Sequence, residues 1–383
     1  MIDKGDMKKN QHFEVAVVGL GAMGLFALDV AARRGLNAIG IDQFNPPHDQ
    51  GSTHGETRLI REAYSEDPAY IPLLRRSMEL WRDHSKSMTG DVFFETGVQY
   101  FGPEEHPSVL ATRKAAQLYD IPLVEMASGT ETTPFHVPDS WDFFHETRAG
   151  YLNVENVLSQ LISSSKTNGA TCLTDHRIQS LKHNETGWVI RAGDQTITAD
   201  RAIFALGSWV HKIIPALQPY LTLERHTLHW FQAPGDESFA VENGFQPFVA
   251  HLPNNDWFYG FPMNKDRLVK IAEHNTGKQF SNWEDMDRVI SDEDRTNVAS
   301  FCAEFAPSLG DIKKSVSCMY TMSPDGDFIL DYHPQSSTAS IAAGLSGHGY
   351  KFAPAIGEAL VDMIQGQETK TDLSIFSLKR FEQ

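Results

Sequence analysis

Three glycines and an acid carry the first chemistry legible in this chain. Gly19, Gly21 and Gly24 stand in the run Gly-Leu-Gly-Ala-Met-Gly, and Asp42 follows 23 residues after Gly19. This set suits a pyrophosphate joined to a ribose. Gly19 permits a tight turn, Gly21 lets the backbone close on the phosphates, and Gly24 lets a helix pack near a strand. The phosphate charge then meets amides such as those of Ala22 and Met23 at the positive end of a helix. Asp42, with Gln43 beside it, can accept hydrogen bonds from two ribose hydroxyls. The pattern does not separate FAD from NAD.

The flanking elements fit that chemistry. Val15 to Val18 is an apolar run short enough for a buried strand, and a helical pattern runs on to Arg34, stopped by Gly35. A second apolar run, Ala38 to Ile41, ends at Asp42. Strand, glycine turn, helix, strand and acid together make the dinucleotide-binding fingerprint from Phe13 to Asp42.

Composition narrows the partners. With 383 residues, 41% hydrophobic and 22% charged, the chain has room for one large or two medium cored domains of a soluble protein. A net charge of −17 repels phosphates, which speaks against nucleic acid and anionic membranes. No apolar run is long enough to span a membrane. Residues 1–12 are polar and read as a flexible tail, not a signal peptide. Cys172, Cys302 and Cys318 are odd in number and lack metal-ligand spacing, so the expectation is reduced thiols in a cytoplasmic protein and no metal.

Further along, the residues after Asp42 read as a loop until about Arg58, followed by a helix through Ile71, Leu74, Met78 and Trp81. Two short strands flank Thr96-Gly97, a helix runs from Pro107 to Tyr119, and residues 127–140 read as loop. Asn153 is expected to cap a helix reaching Ser164. Short strands follow, the last running from Arg201 to Gly207 and ending in small residues where a cofactor can touch. The aromatic-rich stretch 221–273 reads as a mostly antiparallel sheet, 281–307 as helix, and 315–331 as extended. A strand ends at Gly344, and a last helix runs from Pro354 to Ile364 with Gly366 as its stop. The expected fold class is α/β (α+β), in two domains. Residues 13–90, 151–220 and 325–383 form a discontinuous FAD-binding domain, and 91–150 with 221–324 a substrate domain. A chain that returns to its dinucleotide domain at the C-terminal end has the layout of flavoprotein oxidases, not of NAD enzymes.

Several motifs then carry a resemblance. Gly51-Ser52-Thr53-His54-Gly55-Glu56-Thr57-Arg58-Leu59-Ile60-Arg61 resembles the GSHHGDTRxIR segment of the monomeric sarcosine oxidase and N-methyl-L-tryptophan oxidase family. Tyr259-Gly260-Phe261-Pro262, Lys270, His274, Cys318-Met319-Tyr320-Thr321 and the run from Gly344 to Lys351 are similar to its other motifs. The likeness extends from about Phe13 to the end. It departs at Thr53, where the family usually has histidine, and at Glu56, where it usually has aspartate.

The resemblance implies a two-domain fold like that of p-hydroxybenzoate hydroxylase, with a Rossmann-like FAD-binding domain and a mostly antiparallel substrate domain. It implies FAD bound covalently through Cys318, although a cysteine taken alone packs as a small hydrophobe. Ser52, His54, Thr57, Arg58, Gly207, Gly347, His348, Gly349 and Lys351 are implied cofactor contacts. Lys270 is implied to activate oxygen, and Arg58 to favour reduction of the flavin. Arg61 and Lys351 are implied to hold a substrate carboxylate, the first as a planar fork and the second as a point charge. Tyr259 and Tyr320 are implied to line the substrate cavity, and His274 to tune the amine or to serve structure.

The implied activity is oxidation of a secondary N-methyl amino acid to the primary amino acid, formaldehyde and hydrogen peroxide. The partners are then a small secondary amine bearing a carboxylate and molecular oxygen, and the protein is a monomer. The segment Lys270 to Gly277 is closer to the tryptophan-type branch, with sarcosine next. A cyclic or glycated amino acid, a dehydrogenase using another acceptor, and a flavin-binding protein without turnover stay open.

Overall fold

Apolar runs closed by glycine build the first part of the molecule. The computed structural model describes residues 11–127, 133–235, 237–274 and 277–382. Most of the expected tail, part of the expected 127–140 loop, and Asn275 and Thr276 of the Lys270 to Gly277 segment lie outside them. The chain divides into two units, Met1–His54 with Glu155–Leu223 and Thr321–Gln383, and Gly55–Val154 with Glu224–Tyr320.

In the first unit Gln11–Val18 lies between the parallel strands Ala38–Ile41 and Gln195–Phe204. Thr171–Leu173 extends the sheet on one side and Ser336–Ala343 on the other, both parallel to their neighbours. Antiparallel strands complete eight. Val15, Ala16, Val17 and Val18 are all buried, as a parallel strand covered on both faces requires. Helix Ala22–Arg33 packs on helices Glu155–Thr167 and Ala353–Ile364. Gly357 permits that close approach, since a Cβ there would stand 2.7 Å from Phe26 Cβ. Trp188, Phe204, Ile329 and Ile341 join the core around this sheet.

The second unit is a nine-stranded sheet with a separate three-stranded one. In the larger sheet Thr222–Gln232, Leu268–Glu273, Trp257–Gly260 and Phe248–His251 run antiparallel in that order. Phe248–His251 then pairs in parallel with Val98–Pro103, so the expected antiparallel sheet is mixed at this seam. Helix Glu293–Phe305 packs on the sheet. Its phenylalanines share a core with Phe101, Phe135, Phe248 and Phe258.

Two expectations need correction. Residues 55–90 belong to the second unit, not to the dinucleotide domain. The strand Thr57–Ile60 pairs with Gly150–Asn153, which also pairs with Phe93–Phe94, and this ladder carries the segment there. Asn153 ends its strand opposite Thr57, and the helix expected to follow it begins at Glu155. The helix expected over 281–307 is confined to Glu293–Phe305. Before it, Asp287 accepts from the Val289 amide, a local bond that competes with helix formation, and the Ser291 amide donates to the Asp294 carboxylate while the Asp294 amide donates to Ser291 Oγ, a reciprocal pair that starts the helix. No helix among the described residues is long and apolar enough to cross a membrane.

Candidate active site

The glycine turn of the first unit is shaped by close approach. Gly19 has φ 92°, and a Cβ there would lie 2.3 Å from the Ala205 carbonyl oxygen. A Cβ on Gly24 would lie 1.7 Å from the Gly19 carbonyl oxygen, so this third glycine serves packing against the turn itself. Gly21 differs: a Cβ there would meet only Thr53 Oγ1, at 3.5 Å. That opening lies at the start of helix Ala22–Arg33, whose first turn holds no acidic residue and whose Gly21 cap offers no side chain. The Ala22 amide donates to Thr53 Oγ1 at 3.4 Å. A cradle with helix amides and no competing anion fits a pyrophosphate.

Asp42 accepts from the Leu20 amide at 2.6 Å and from the Phe44 amide at 2.8 Å. It therefore braces the middle of the glycine turn, and each oxygen keeps a second lone pair for a ribose hydroxyl. Burial pushes its carboxyl up, against those amides and His48.

Other expected cofactor residues lie in loops of the same unit. Gly207 has φ 51°, with nothing within 4 Å of where a Cβ would stand. Ser346 and Gly347 are both left-handed, at φ 44° and 78°, and reverse the chain before Tyr350–Phe352. Lys351 is buried and donates to the His348 carbonyl at 2.8 Å. His348 stacks on Phe328 and its Nε2 lies 3.1 Å from the Gly326 carbonyl. His54 is buried and Ser52 is exposed.

The second unit gathers most of the expected catalytic groups. Lys270 is 2% exposed, although strand lysines normally reach water. Its ammonium group donates to the Gly55 and Thr57 carbonyls, both at 2.7 Å, and stands 4.2 Å from the Phe261 ring centre. Arg58 Nη1 donates to the same Thr57 carbonyl at 2.9 Å, so one oxygen serves two cations. Cys318 is 1% exposed; burial pushes its thiol up, while the charges of Arg58 and Lys270 oppose that.

Tyr259 and Tyr320 are hydrogen-bonded to each other, and burial raises both phenols. His274 lies 5.7 Å from Tyr320 and 6.3 Å from Tyr259, ring centre to ring centre. The structure thus brings Lys270, Arg58, Thr57, Cys318, Tyr259, Tyr320 and His274 into one neighbourhood.

Arg61 is engaged differently from its expected role. Its Nη2 donates to both oxygens of Glu66, at 2.7 and 2.8 Å, and Nη1 donates to the Ala63 carbonyl at 3.1 Å. Burial works against its charge, and the Glu66 carboxylate outweighs that and holds it charged. The guanidinium also lies 4.7 Å from the Tyr64 ring centre.

Several neighbours were not singled out from the sequence. His226 stacks on Tyr320 at 3.8 Å and bonds Glu224 at 3.3 Å; two positions apart on one strand, they share a face. Trp257 lies 4.3 Å from His274. Glu66, five residues after Arg61, gave no local signal, since that spacing matches neither strand nor helix.

The chain matches the model of a family described as FAD dependent oxidoreductase over residues 14–363. It is 33% identical over 382 residues to a monomeric sarcosine oxidase of Bacillus sp. (strain NS-129), covering 96% of this chain and 97% of that one. It is 35% identical over 383 residues to an N-methyl-L-tryptophan oxidase of Yersinia pestis (strain Pestoides F), covering 96% and 99%. Among solved structures, NikD, an unusual amino acid oxidase essential for nikkomycin biosynthesis, superposes with a TM-score of 0.83 at 18% identity, covering 96% and 97%. That last likeness speaks to the fold.

Proposed function

The chain belongs to the FAD dependent oxidoreductase family, and from that premise we propose that it oxidises secondary N-methyl amino acids of the N-methyl-L-tryptophan or sarcosine kind. FAD, when bound, supplies the two-electron acceptor that takes a hydride equivalent from the amine and hands the electrons to oxygen. Gly19, Gly21, Ala22, Met23, Gly24 and Asp42 are the residues to hold its ADP end. Ser52, His54, Thr57, Gly207, Gly347, His348, Gly349 and Lys351 supply further contacts. Cys318 is the residue to carry the flavin as a thioether, and the nearby charges of Arg58 and Lys270 favour the thiolate that bond needs.

The observation that carries the reading is the cluster of buried Lys270 and Cys318 with half-buried Arg58. Lys270 offers a fixed cation to the anion that oxygen becomes on taking an electron. Tyr259, Tyr320 and His274 present an aromatic wall to the amine, which reacts as the free base. Arg61 receives the substrate carboxylate in place of Glu66, whose side chain is 21% exposed and can turn to water. Lys351 adds a second cation. The products are the primary amino acid, formaldehyde and hydrogen peroxide. We assign the protein to the cytoplasm, as a monomer.

A peroxide assay over sarcosine, N-methyltryptophan, pipecolate and fructosyl glycine tests the reading. Turnover is expected with the N-methyl amino acids. Peroxide only from pipecolate or fructosyl glycine moves the substrate to a cyclic or glycated amine. Flavin bleaching without peroxide makes the protein a dehydrogenase. Acid-precipitated protein should stay yellow, and Cys318→Ala should release the colour; a variant that keeps its colour removes Cys318 as the attachment point.

A further inference from the structure

Glu56 has a backbone that a glutamate seldom adopts. Its φ is 71°, directly after Gly55 at 94°, so two successive residues are left-handed. A strained position of this kind persists where its surroundings hold it. The Glu56 carboxylate accepts from Lys314 Nζ at 2.8 Å, from Trp230 Nε1 at 3.0 Å and from Asn264 Nδ2 at 3.0 Å. Its carbonyl accepts from the Val154 amide at 2.9 Å. The carbonyls on either side of it, those of Gly55 and Thr57, are the two that hold the Lys270 ammonium at 2.7 Å. Trp230 is also the residue directly opposite Lys270 in the strand pair Thr222–Gln232 and Leu268–Glu273. The side chain of Glu56 is thereby fastened to the strand pair that carries the lysine gripped by its own flanking carbonyls.

We propose that Glu56 is a positioning residue for Lys270: its carboxylate, held by Trp230, Asn264 and Lys314, fixes the 55–57 peptide so that two carbonyls fix the ammonium group. The proposal rests on the reading that Lys270 serves the reaction with oxygen. Glu56 touches no reacting atom and acts through Lys270. The carboxylate is held below the usual range because these donors outweigh the cost of burial. A longer side chain than the aspartate of the resembling family lets the carboxylate reach the indole, the amide and the ammonium together.

The test separates the two half-reactions of the holoenzyme by stopped flow. Substrate reduction is followed without oxygen, and reoxidation by oxygen is followed after it. Glu56→Gln and Glu56→Gly are expected to slow reoxidation on the order of tenfold and to change reduction less, since displacing a catalytic group by an ångström is enough for such losses. Glu56→Gly removes the backbone strain and the grip together, so its loss assigns the effect to the side chain. Glu56→Asp should recover part of the rate. The double variant Glu56→Gln/Lys270→Met should be no slower than Lys270→Met, because both changes act on one group. Independently of turnover, amide exchange at Thr57, whose N–H donates to the Gly55 carbonyl, should rise in Glu56→Gln. If Glu56→Gln does not fold, Lys314→Met should show both effects more weakly. Wild-type reoxidation in these variants with Lys270→Met impaired overturns the positioning role alone, as does a double variant whose losses multiply. Wild-type reoxidation in Lys270→Met overturns the oxygen role of the lysine, and the exchange at Thr57 then decides the positioning role.

Discussion

The glycine turn of the first unit and the lysine grip of the second place charge by opposite means. At Gly19 to Gly24 the work is done by missing side chains: amides gather at a helix start because no Cβ intervenes. At Lys270 it is done by side chains and carbonyls from Gly55, Thr57, Phe261 and, by way of Glu56, Trp230, Asn264 and Lys314. The turn is local in sequence and fails when atoms are added. The grip is assembled from distant segments and fails when atoms are removed.

Removing the Lys270 charge should give the largest effect. Met keeps the length of the stem and loses the cation. A unit charge about 4 Å from a developing anion is worth about 4 kcal/mol at an effective dielectric near 20, on the order of a thousandfold in rate. Stopped-flow reoxidation of Lys270→Met should therefore fall by that order, and an unchanged rate would remove the grip from the chemistry.

Adding one carbon to the turn comes next, and two glycines give opposite outcomes. Gly24→Ala puts a Cβ 1.7 Å from the Gly19 carbonyl oxygen, and should cost about 3 kcal/mol in overpacking. Gly21→Ala meets only Thr53 Oγ1, at 3.5 Å. Its stability should stay within roughly 0.5 kcal/mol of the parent while its flavin content falls. Urea midpoints and flavin absorbance read both. Equal destabilisation by the two would mean that Gly21 serves packing, not the cofactor.

The same contrast explains what was legible in the sequence. Strand, turn, helix and Asp42 were readable because each requirement lies within a few residues of the next, and backbone rules act at that range. Lys270, Arg58 and Cys318 stood out through resemblance; taken singly, a strand lysine is a surface residue and a lone cysteine a small hydrophobe. Glu56 and Glu66 were beyond either route. Glu56 looked like a conservative departure, and its three donors come from positions 230, 264 and 314. The boundary near residue 90 failed for a related reason. Thr57–Ile60 joins a strand more than 90 residues later, and pairing at that distance leaves no local mark.

Buried imidazoles supply the smallest effect and separate the units by pH. In the second unit burial, aided by His106 and Arg61, lowers His251 to about 3, and burial with Arg295 lowers His229 to about 4. In the first unit burial lowers His333 to about 4. The ordinary value is about 6.5. The unfolded chain therefore takes up these protons as pH falls through 6.5, while the folded protein refuses them until about 4 and 3. Stability is full above pH 6.5 and drains away between there and about 4 for His229 and His333, and down to about 3 for His251. For His251 and His229 together the loss from pH 8 to pH 6 should be about 2 kcal/mol. His251 is 2% exposed and stacks on His106 at 4.9 Å, so His251→Phe keeps a ring in the stack and deletes one titration. Its urea midpoint should fall less between pH 8 and pH 6 than that of the parent, and amide exchange should place the difference in strand Phe248–His251. An unaltered slope in the variant would mean that His251 takes its proton in the folded protein as readily as in the unfolded chain, and that acid sensitivity lies instead with His229 and His333.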